Sequence, residues 1–196
     1  MIPVLAVDDP AAAREMLARL FDFAAAGDGR MVLGDQPIAV VGTGEVPSGM
    51  IPLRLDHVAF ATDDADATHV RLAAQGARLA GAFTPDGPRD IPEFRAHGVR
   101  FVFFDGPEGW PLEFCATNGV ARHPGHDHYA IRTAELDATE ARLAALGAGP
   151  IARHVLAGAA GPVHVRFLSL GNHTFELFDD APGAEHRSDA GWIGVL

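Results

Sequence analysis

Two histidines and two glutamates occupy matching places in two segments of the chain and could together bind a metal ion. His57 and His128 each follow an aspartate at the start of an apolar run. Glu113 and Glu176 each lie later in their segment, between two bulky apolar residues. Two imidazoles and two carboxylates form a mixed nitrogen and oxygen set whose negative charges would neutralise a divalent cation. The alternative is that these are ordinary histidines and glutamates on solvated faces of a sheet.

The match between the two segments extends well beyond these four residues. Sliding the sequence by 71 residues aligns 56–77 with 127–148 and gives 13 identities over 22 positions. The Asp-His pair, an Asp-Ala-Thr run and a terminal Gly all match, whereas matched alanines in helical segments carry little weight. Val99-Arg100-Phe101 continues the repeat against Val165-Arg166-Phe167 at a shorter spacing. An internal duplication therefore explains why the histidines and glutamates recur.

Each copy has the pattern of a strand, a helix and three further strands. Along residues 54–61, Val58 and Phe60 alternate with His57, which places the histidine on the opposite face of the strand. Glu113 lies between two bulky residues in the same way, so His and Glu are predicted to point from one side of the sheet. Burying a glutamate there is costly unless it is paired, and this favours a metal.

The same patterns predict the bounds of the elements. In the first copy we expect a strand at 54–61, a helix capped by Thr62 or Asp63 and ending at Gln75 before Gly76, a weak strand at 77–80, a loop at 85–92, and strands at 99–104 and 110–116. In the second copy we expect strands at 126–133, 150–156, 162–169 and 173–179, with a helix that ends at Leu146.

Residues 1–50 resemble a degenerate third copy of the repeat. Asp9 could cap a helix over Pro10–Phe21, with Pro at the first helical position. Where the other copies carry His and Glu, this one offers Val4 and Ala39, which suggests a module that keeps the fold without the ligands. The predicted organisation is a degenerate module at 1–50, full modules at 51–118 and 119–182, and a C-terminal tail at 183–196.

Composition restricts the classes of function. The net charge of −11 makes nucleic acid a poor partner, because phosphate binding needs clustered Lys and Arg. No apolar run approaches the ~20 residues of a membrane-spanning helix, and the N-terminus lacks the pattern of a signal peptide. The single Cys115 cannot form an internal disulfide. We therefore expect a cytoplasmic protein that does not bind nucleic acid or span a membrane.

Two motifs resemble the vicinal oxygen chelate superfamily, which includes glyoxalase I, extradiol dioxygenases, methylmalonyl-CoA epimerase and the fosfomycin- and bleomycin-resistance proteins. The motifs are Leu55-Asp56-His57-Val58-Ala59 and the run from Phe104 to Phe114, FDGPEGWPLEF. The resemblance covers about residues 52–180. It implies an α+β fold in which βαβββ modules pair into a curved mixed sheet with helices on the outer face. It also implies one divalent metal (Ni, Co, Zn, Mn or Fe(II)) bound by His57, Glu113, His128 and Glu176.

The resemblance also implies a small-molecule substrate, and the family's activities leave three interpretations open. The ligand set is similar to that of bacterial-type glyoxalase I, which implies a lyase or isomerase in which Glu113 or Glu176 moves a proton between adjacent carbons. An Fe(II) extradiol-type dioxygenase would use only His57, His128 and Glu176, and alternation places Tyr129, the only tyrosine, on the wrong face for an acid or base. The third interpretation is a non-catalytic drug- or antibiotic-binding protein of the bleomycin-resistance type.

Further residues are predicted to bind substrate because they share the ligand face. They are Arg132, Cys115 and Phe178. Arg100 and Arg166 repeat between the copies and either hold an anionic substrate or form surface contacts. Among the unmatched histidines, His126 shares its alternation with His128, and the loop at 85–98 could cover the cavity.

The pairing of the modules is open from the sequence. They could pair within the chain through the 118–125 linker, which we favour, or across a dimer. An unpaired edge on a third copy would make a homodimer plausible. No pattern identifies the substrate.

Overall fold

The computed structural model describes residues 1–158, 161–179 and 189–196. Three segments each fold as a strand, a helix and three strands, and we call them module N, module 1 and module 2. Module N contains β1 (Pro3–Val7), α1 (Pro10–Phe21), β2 (Ala24–Ala25), β3 (Met31–Leu33) and β4 (Gln36–Gly42). Module 1 contains β5 (His57–Ala61), α2 (Ala65–Ala74), β6 (Arg89–Ile91), β7 (Val99–Asp105) and β8 (Pro111–Thr117). Module 2 contains β9 (Gly125–Arg132), α3 (Leu136–Ala145), β10 (Gly149–Gly158), β11 (Gly161–Leu170) and β12 (His173–Phe178), and β13 (Gly191–Val195) follows.

Modules 1 and 2 form one eight-stranded sheet with the order β10-β11-β12-β9-β5-β8-β7-β6. In each module the first strand pairs in parallel with the fourth, and the other pairings are antiparallel. The modules join through antiparallel pairing of β5 with β9, so they pair within the chain as we favoured. Strands at both ends of the sheet line one cavity, through Ile91 and Leu156, which requires the sheet to curve. The predicted fold class is confirmed.

The helices pack on the convex side of this sheet. Val58 and Phe60 belong to that core together with Leu72 of α2, Leu143 of α3 and Leu17 of α1. The alternation read from the sequence therefore assigns the two faces of β5 correctly. Burial of this apolar surface is the main stabilising contribution to the fold.

Matching contacts tie each helix to its sheet. The hydroxyl groups of Thr62 and Thr68 form a hydrogen bond (O–O 2.7 Å). At the equivalent place in module 2, those of Thr133 and Thr139 do the same (3.1 Å). Arg100 contacts Asp66, and its counterpart Arg166 contacts Asp137. These polar pairs explain several of the sequence identities without reference to a substrate.

Module N has the same strand order as the other two. β1 pairs in parallel with β4, followed by β3 and β2, and β13 covers the free edge of β1. The argument for a homodimer from an open edge therefore fails at β1. Within the segment expected to be a C-terminal tail, residues 191–195 form β13. The predicted boundary between 182 and 183 lies outside the described residues.

Strand register corrects one proposed equivalence in module N. In modules 1 and 2 the glutamate pairs with the residue two positions after the histidine, as in Ala59 opposite Glu113. Val4 lies directly opposite Ala39. If Ala39 corresponds to a glutamate, the position of the histidine is therefore Ile2 and not Val4.

Two further predictions about module 1 were wrong. Residues 77–80 do not form its second strand, although Leu79 makes an isolated bridge to Phe104. The second strand is Arg89–Ile91, inside the region expected to be a loop. The helix cap is Asp64 instead of Thr62 or Asp63, whereas Gly76 has the expected left-handed backbone (φ 97°).

Module N packs against module 1 through aromatic side chains. Phe21 at the end of α1 contacts Phe104 and Phe114, with ring centroids 6.0 and 6.3 Å apart. The Tyr129 hydroxyl donates to Gln36 Oε1 at 2.8 Å, which links β9 to β4. None of the helices that the structure describes has the length and apolar character needed to span a membrane.

Candidate metal centre

The four candidate ligands lie in two rows that cross the centre of the eight-stranded sheet. In one row His57 on β5 neighbours Ala130 on β9, which neighbours Glu176 on β12. In the other row His128 on β9 neighbours Ala59 on β5, which neighbours Glu113 on β8. An alanine thus separates histidine from glutamate in both rows. Its small side chain leaves the space into which the longer side chains converge.

The side chains meet at short distances on the concave face. Glu113 Oε2 lies 3.0 Å from His57 Nε2 and 3.2 Å from His128 Nε2. Glu176 Oε2 lies 2.9 Å from His128 Nε2. One ligand atom from each of His57, Glu113 and His128 falls within 4.8 Å of the other two. The structure thus groups three of the candidates tightly, and Glu176 joins them through His128.

The orientation of these atoms fits a metal ion better than hydrogen bonding. Both imidazole Nε2 atoms are buried and make no hydrogen bond within the described residues, despite the carboxylate oxygens close by. The approaches are short, yet the donor directions are not aligned. Buried polar atoms without partners are rare and costly. A divalent cation bound between two nitrogens and two carboxylates would satisfy all of them.

Each histidine is held from behind by the aspartate that precedes it. Asp56 Oδ1 lies 2.9 Å from His57 Nδ1, and Asp127 Oδ1 lies 2.8 Å from His128 Nδ1. A carboxylate at Nδ1 leaves Nε2 to face the metal and fixes the ring. We noted the repeated Asp-His pair in the sequence but did not recognise this role for Asp56 and Asp127.

Arginines neutralise the two buried aspartates. Arg132 Nε lies 2.9 Å from Asp56 Oδ2, and Arg95 Nη2 lies 2.5 Å from Asp127 Oδ1. Arg122 also contacts Asp127. Arg95 and Arg122 belong to loops that are distant in sequence, and no local pattern marks them as part of the site.

The charges of the site shift the pKa values of its members in opposite directions. Burial lowers the pKa of His57, but the contacts with Asp56 and Glu113 outweigh burial and raise that pKa to about 9. Burial raises the pKa of Glu113, while the adjacent His128 and His57 lower it to about 2. Without a metal the histidines are therefore expected to carry protons that neutralise the carboxylates.

A cavity of about 210 Å³ lies over the candidate ligands. The three residues predicted to bind substrate, Arg132, Cys115 and Phe178, all line it. Cys115 is buried, and burial, with Asp127 and Glu113 nearby, raises the pKa of its thiol well above the usual value. We missed most of the phenylalanines in the wall, because they come from strands and loops that are far apart in sequence.

Other candidates lie away from the centre. Arg100 and Arg166 contact carboxylates of α2 and α3, and neither lines the cavity. His126 does not share a face with His128, because a bulge between them breaks the alternation. Its ring instead lies 4.5 Å from that of Tyr129, and its Nε2 accepts from the Thr174 amide. Tyr129 faces away from the cavity, as alternation predicted.

Solved structures share this fold at low sequence identity. No family model matches the sequence, and no curated protein matches it. Glyoxalase I from Zea mays superposes with a TM-score of 0.68 and 15% identity over 96% of this chain and 70% of the other. A mutant of 4-hydroxymandelate synthase from Streptomyces coelicolor gives 0.59 and 13%, covering 97% and 73%. Methylmalonyl-CoA epimerase from Mycobacterium tuberculosis gives 0.50 and 21%, covering 70% and 95%.

These neighbours are all members of the vicinal oxygen chelate superfamily. The chain therefore has the fold of that superfamily, as the sequence motifs suggested. Identities of 13–21% establish the fold alone, and the chemistry has to be argued from the residues of the site.

Replacing either of the aspartates that contact the Nδ1 atoms of the candidate histidine ligands should weaken metal binding without abolishing it. We expect Asp56→Asn and Asp127→Asn each to lower the affinity for a divalent metal by about 10–100-fold, since the imidazole loses the carboxylate that orients it. Isothermal titration calorimetry with Zn²⁺ would measure this. Asp66→Asn is the matched control, because Asp66 also pairs with an arginine but lies at a helix, and it should bind as tightly as wild type. Equal affinity in all four proteins would contradict the role of Asp56 and Asp127.

Metal affinity should rise with pH up to about 9. The raised pKa of His57 keeps its ring protonated below that pH, so a metal must displace a proton, and each displaced proton adds up to about tenfold in affinity per pH unit. Titrations at pH 7 in buffers of different ionisation enthalpy should detect the released proton. His57→Asn should bind more weakly and release fewer protons. An affinity that stays constant between about pH 6.5 and 9 would contradict this interpretation.

Proposed function

We propose that this chain, with the fold of the vicinal oxygen chelate superfamily, is a metal-dependent enzyme of the glyoxalase-like type. It would bind adjacent oxygens of a small substrate and catalyse a lyase or isomerase reaction by proton transfer between neighbouring carbons. The observation that carries the proposal is the position of Glu113, whose Oε2 lies within 3.2 Å of both histidine Nε2 atoms. A second carboxylate, Glu176, remains beside the same site.

The two glutamates are suited to different roles. Glu113 contacts both histidines and is the carboxylate in the tight three-residue group. Of the two histidines, Glu176 contacts only His128. We therefore assign Glu113 as a permanent ligand with His57 and His128, and Glu176 as the group that moves the proton.

The mechanism follows from what each side chain can do. A bound divalent ion (Ni, Co, Zn, Mn or Fe(II)) would act as a Lewis acid toward the adjacent oxygens of the substrate. His57 and His128, oriented by their aspartates, would fix its position. The Glu176 carboxylate would take a proton from one carbon and return it to the next, since a group beside the metal reaches both.

The dioxygenase alternative receives less support. It would use His57, His128 and Glu176, whereas the tightest group contains Glu113 instead. It would also benefit from an acid or base beside the substrate, and the hydroxyl of Tyr129 is directed to Gln36 and the Met1 carbonyl. A non-catalytic binding protein would use the same cavity without needing Glu176.

Proton exchange separates these functions. The protein loaded with Ni²⁺ or Zn²⁺ is incubated in D₂O with α-hydroxyketones, and deuterium incorporation at the carbon next to the carbonyl is followed by NMR. We expect exchange without oxygen uptake. Glu176→Gln should slow it by about 10²–10⁴-fold, the usual contribution of a general base, while still binding metal. Glu113→Gln should lose the metal, and the exposed Glu15→Gln serves as a control that should exchange like wild type.

Two results would overturn the assignment. Oxygen consumption with a catechol by the Fe(II) form would identify a dioxygenase. Ligand binding that needs no metal, together with no exchange in any metal form, would identify a binding protein.

A further inference from the structure

The wall of the cavity above the candidate metal centre is aromatic. Six of the twelve phenylalanines of the chain line it. Five aliphatic side chains complete the apolar wall. The phenylalanines are Phe83, Phe94, Phe101, Phe103, Phe167 and Phe178, and the aliphatic residues are Ile91, Val99, Leu156, Val163 and Val165.

Phenylalanine rings of the wall lie next to the rings of the candidate histidine ligands. The Phe103 ring lies 4.8 Å from the His57 ring, and the Phe178 ring lies 6.2 Å from it. Phe167 lies 6.2 Å from His128 on the other side. A group attached to the carbons that carry the chelating oxygens of a substrate would therefore lie directly against phenylalanine.

Phe94 completes the wall between the two ends of the sheet. It lies in the loop between β6 and β7, and its ring packs edge-on against Phe167 of β11 with centroids 4.9 Å apart. The ring also lies 5.1 Å from His154 of β10. Phe94 is buried, so the loop of module 1 closes the cavity against module 2.

Outside the candidate ligands, the charged groups of the wall form ion pairs with buried aspartates. Apart from the candidate ligands, the described lining contains Arg95, Arg132 and Cys115 as its only side chains with N, O or S atoms. The arginines form ion pairs with Asp127 and Asp56, so their charges are balanced inside the protein. No hydroxyl or amide side chain of the described wall is available for a peptide-like or nucleotide-like tail. Burying such a tail without hydrogen bonds would be costly.

The volume also limits the substrate. About 210 Å³ is below the range of roughly 300–1,000 Å³ that is usual for sites of drug-sized ligands. A substituent of one aromatic ring, or a branched alkyl group of similar size, fits this volume and is compatible with the apolar wall.

We propose that the substrate is a small uncharged molecule whose vicinal oxygens are attached directly to an aryl or bulky alkyl group, as in an aryl hydroxyketone. It would not be a conjugate that carries a charged peptide or nucleotide. This inference rests on the proposed function, because it assumes a metal that binds the two oxygens, and it adds the chemical class of the group that fills the cavity.

Three hydroxamates with the same chelating head test the proposal by calorimetry on the Ni²⁺-loaded protein. Acetohydroxamate carries a methyl group, benzohydroxamate a phenyl ring and glutamic acid γ-hydroxamate a charged amino-acid tail. We expect benzohydroxamate to bind at least about tenfold more tightly than acetohydroxamate, since the ring buries apolar area against phenylalanine. The charged compound should bind more weakly than both.

Variants of the wall show whether the gain comes from this cavity. Phe178→Ala and Phe167→Ala should each lower the affinity for benzohydroxamate by a larger factor than the affinity for acetohydroxamate. Acetohydroxamate thereby reports on folding and metal loading in every variant.

The outcomes distinguish the two proposals. Equal binding of all three compounds, or tightest binding of the charged one, would overturn the aromatic substrate class and leave the metal centre standing. If the protein takes up no Ni²⁺, or none of the hydroxamates binds the loaded protein, the proposed function falls and the substrate class falls with it.

Discussion

The antiparallel pairing of β5 with β9 is the interaction on which the candidate site depends. It sets His57 opposite Ala130 and Ala59 opposite His128. The parallel partners of these strands then add Glu176 to the first row and Glu113 to the second. A shift of either strand by one residue would turn its histidine toward the helices. The pairing of β5 with β9 therefore determines both the apolar core on the convex side of the sheet and the cluster of candidate ligands on the concave side.

The sequence was sufficient for the parts of the site that follow from local alternation and duplication. His57, Glu113, His128 and Glu176 could be found because each pair recurs within a matching pattern of bulky neighbours. We discounted the matched alanines as common in helices, but Ala59 and Ala130 lie between the histidine and the glutamate of each row. Their small size is a requirement of the site, which became visible only with the strand register.

Local patterns could not predict features that depend on distant contacts or on single irregularities. The bulge between His126 and His128 turns His126 away from the cavity, and no residue type signals it. β6 is three residues long and rich in charge. Its composition does not predict a strand, and it forms one because it pairs with β7. β13 becomes a strand because the edge of β1 is there to pair with. Module N has the same strand order as the other modules, although Ile2 and Ala39 stand at the positions of the histidine and the glutamate. The module fold therefore does not depend on the candidate ligands.

The central claim is that residues from both modules bind one metal ion. X-ray absorption at the zinc edge of the Zn²⁺-loaded protein tests it most directly, because the scattering pattern identifies imidazole ligands. The account predicts only nitrogen and oxygen neighbours at about 2.0–2.2 Å, including two imidazoles, and the loss of one imidazole in His57→Ala or His128→Ala. A sulfur neighbour from Cys115, or a spectrum that neither variant changes, would contradict it.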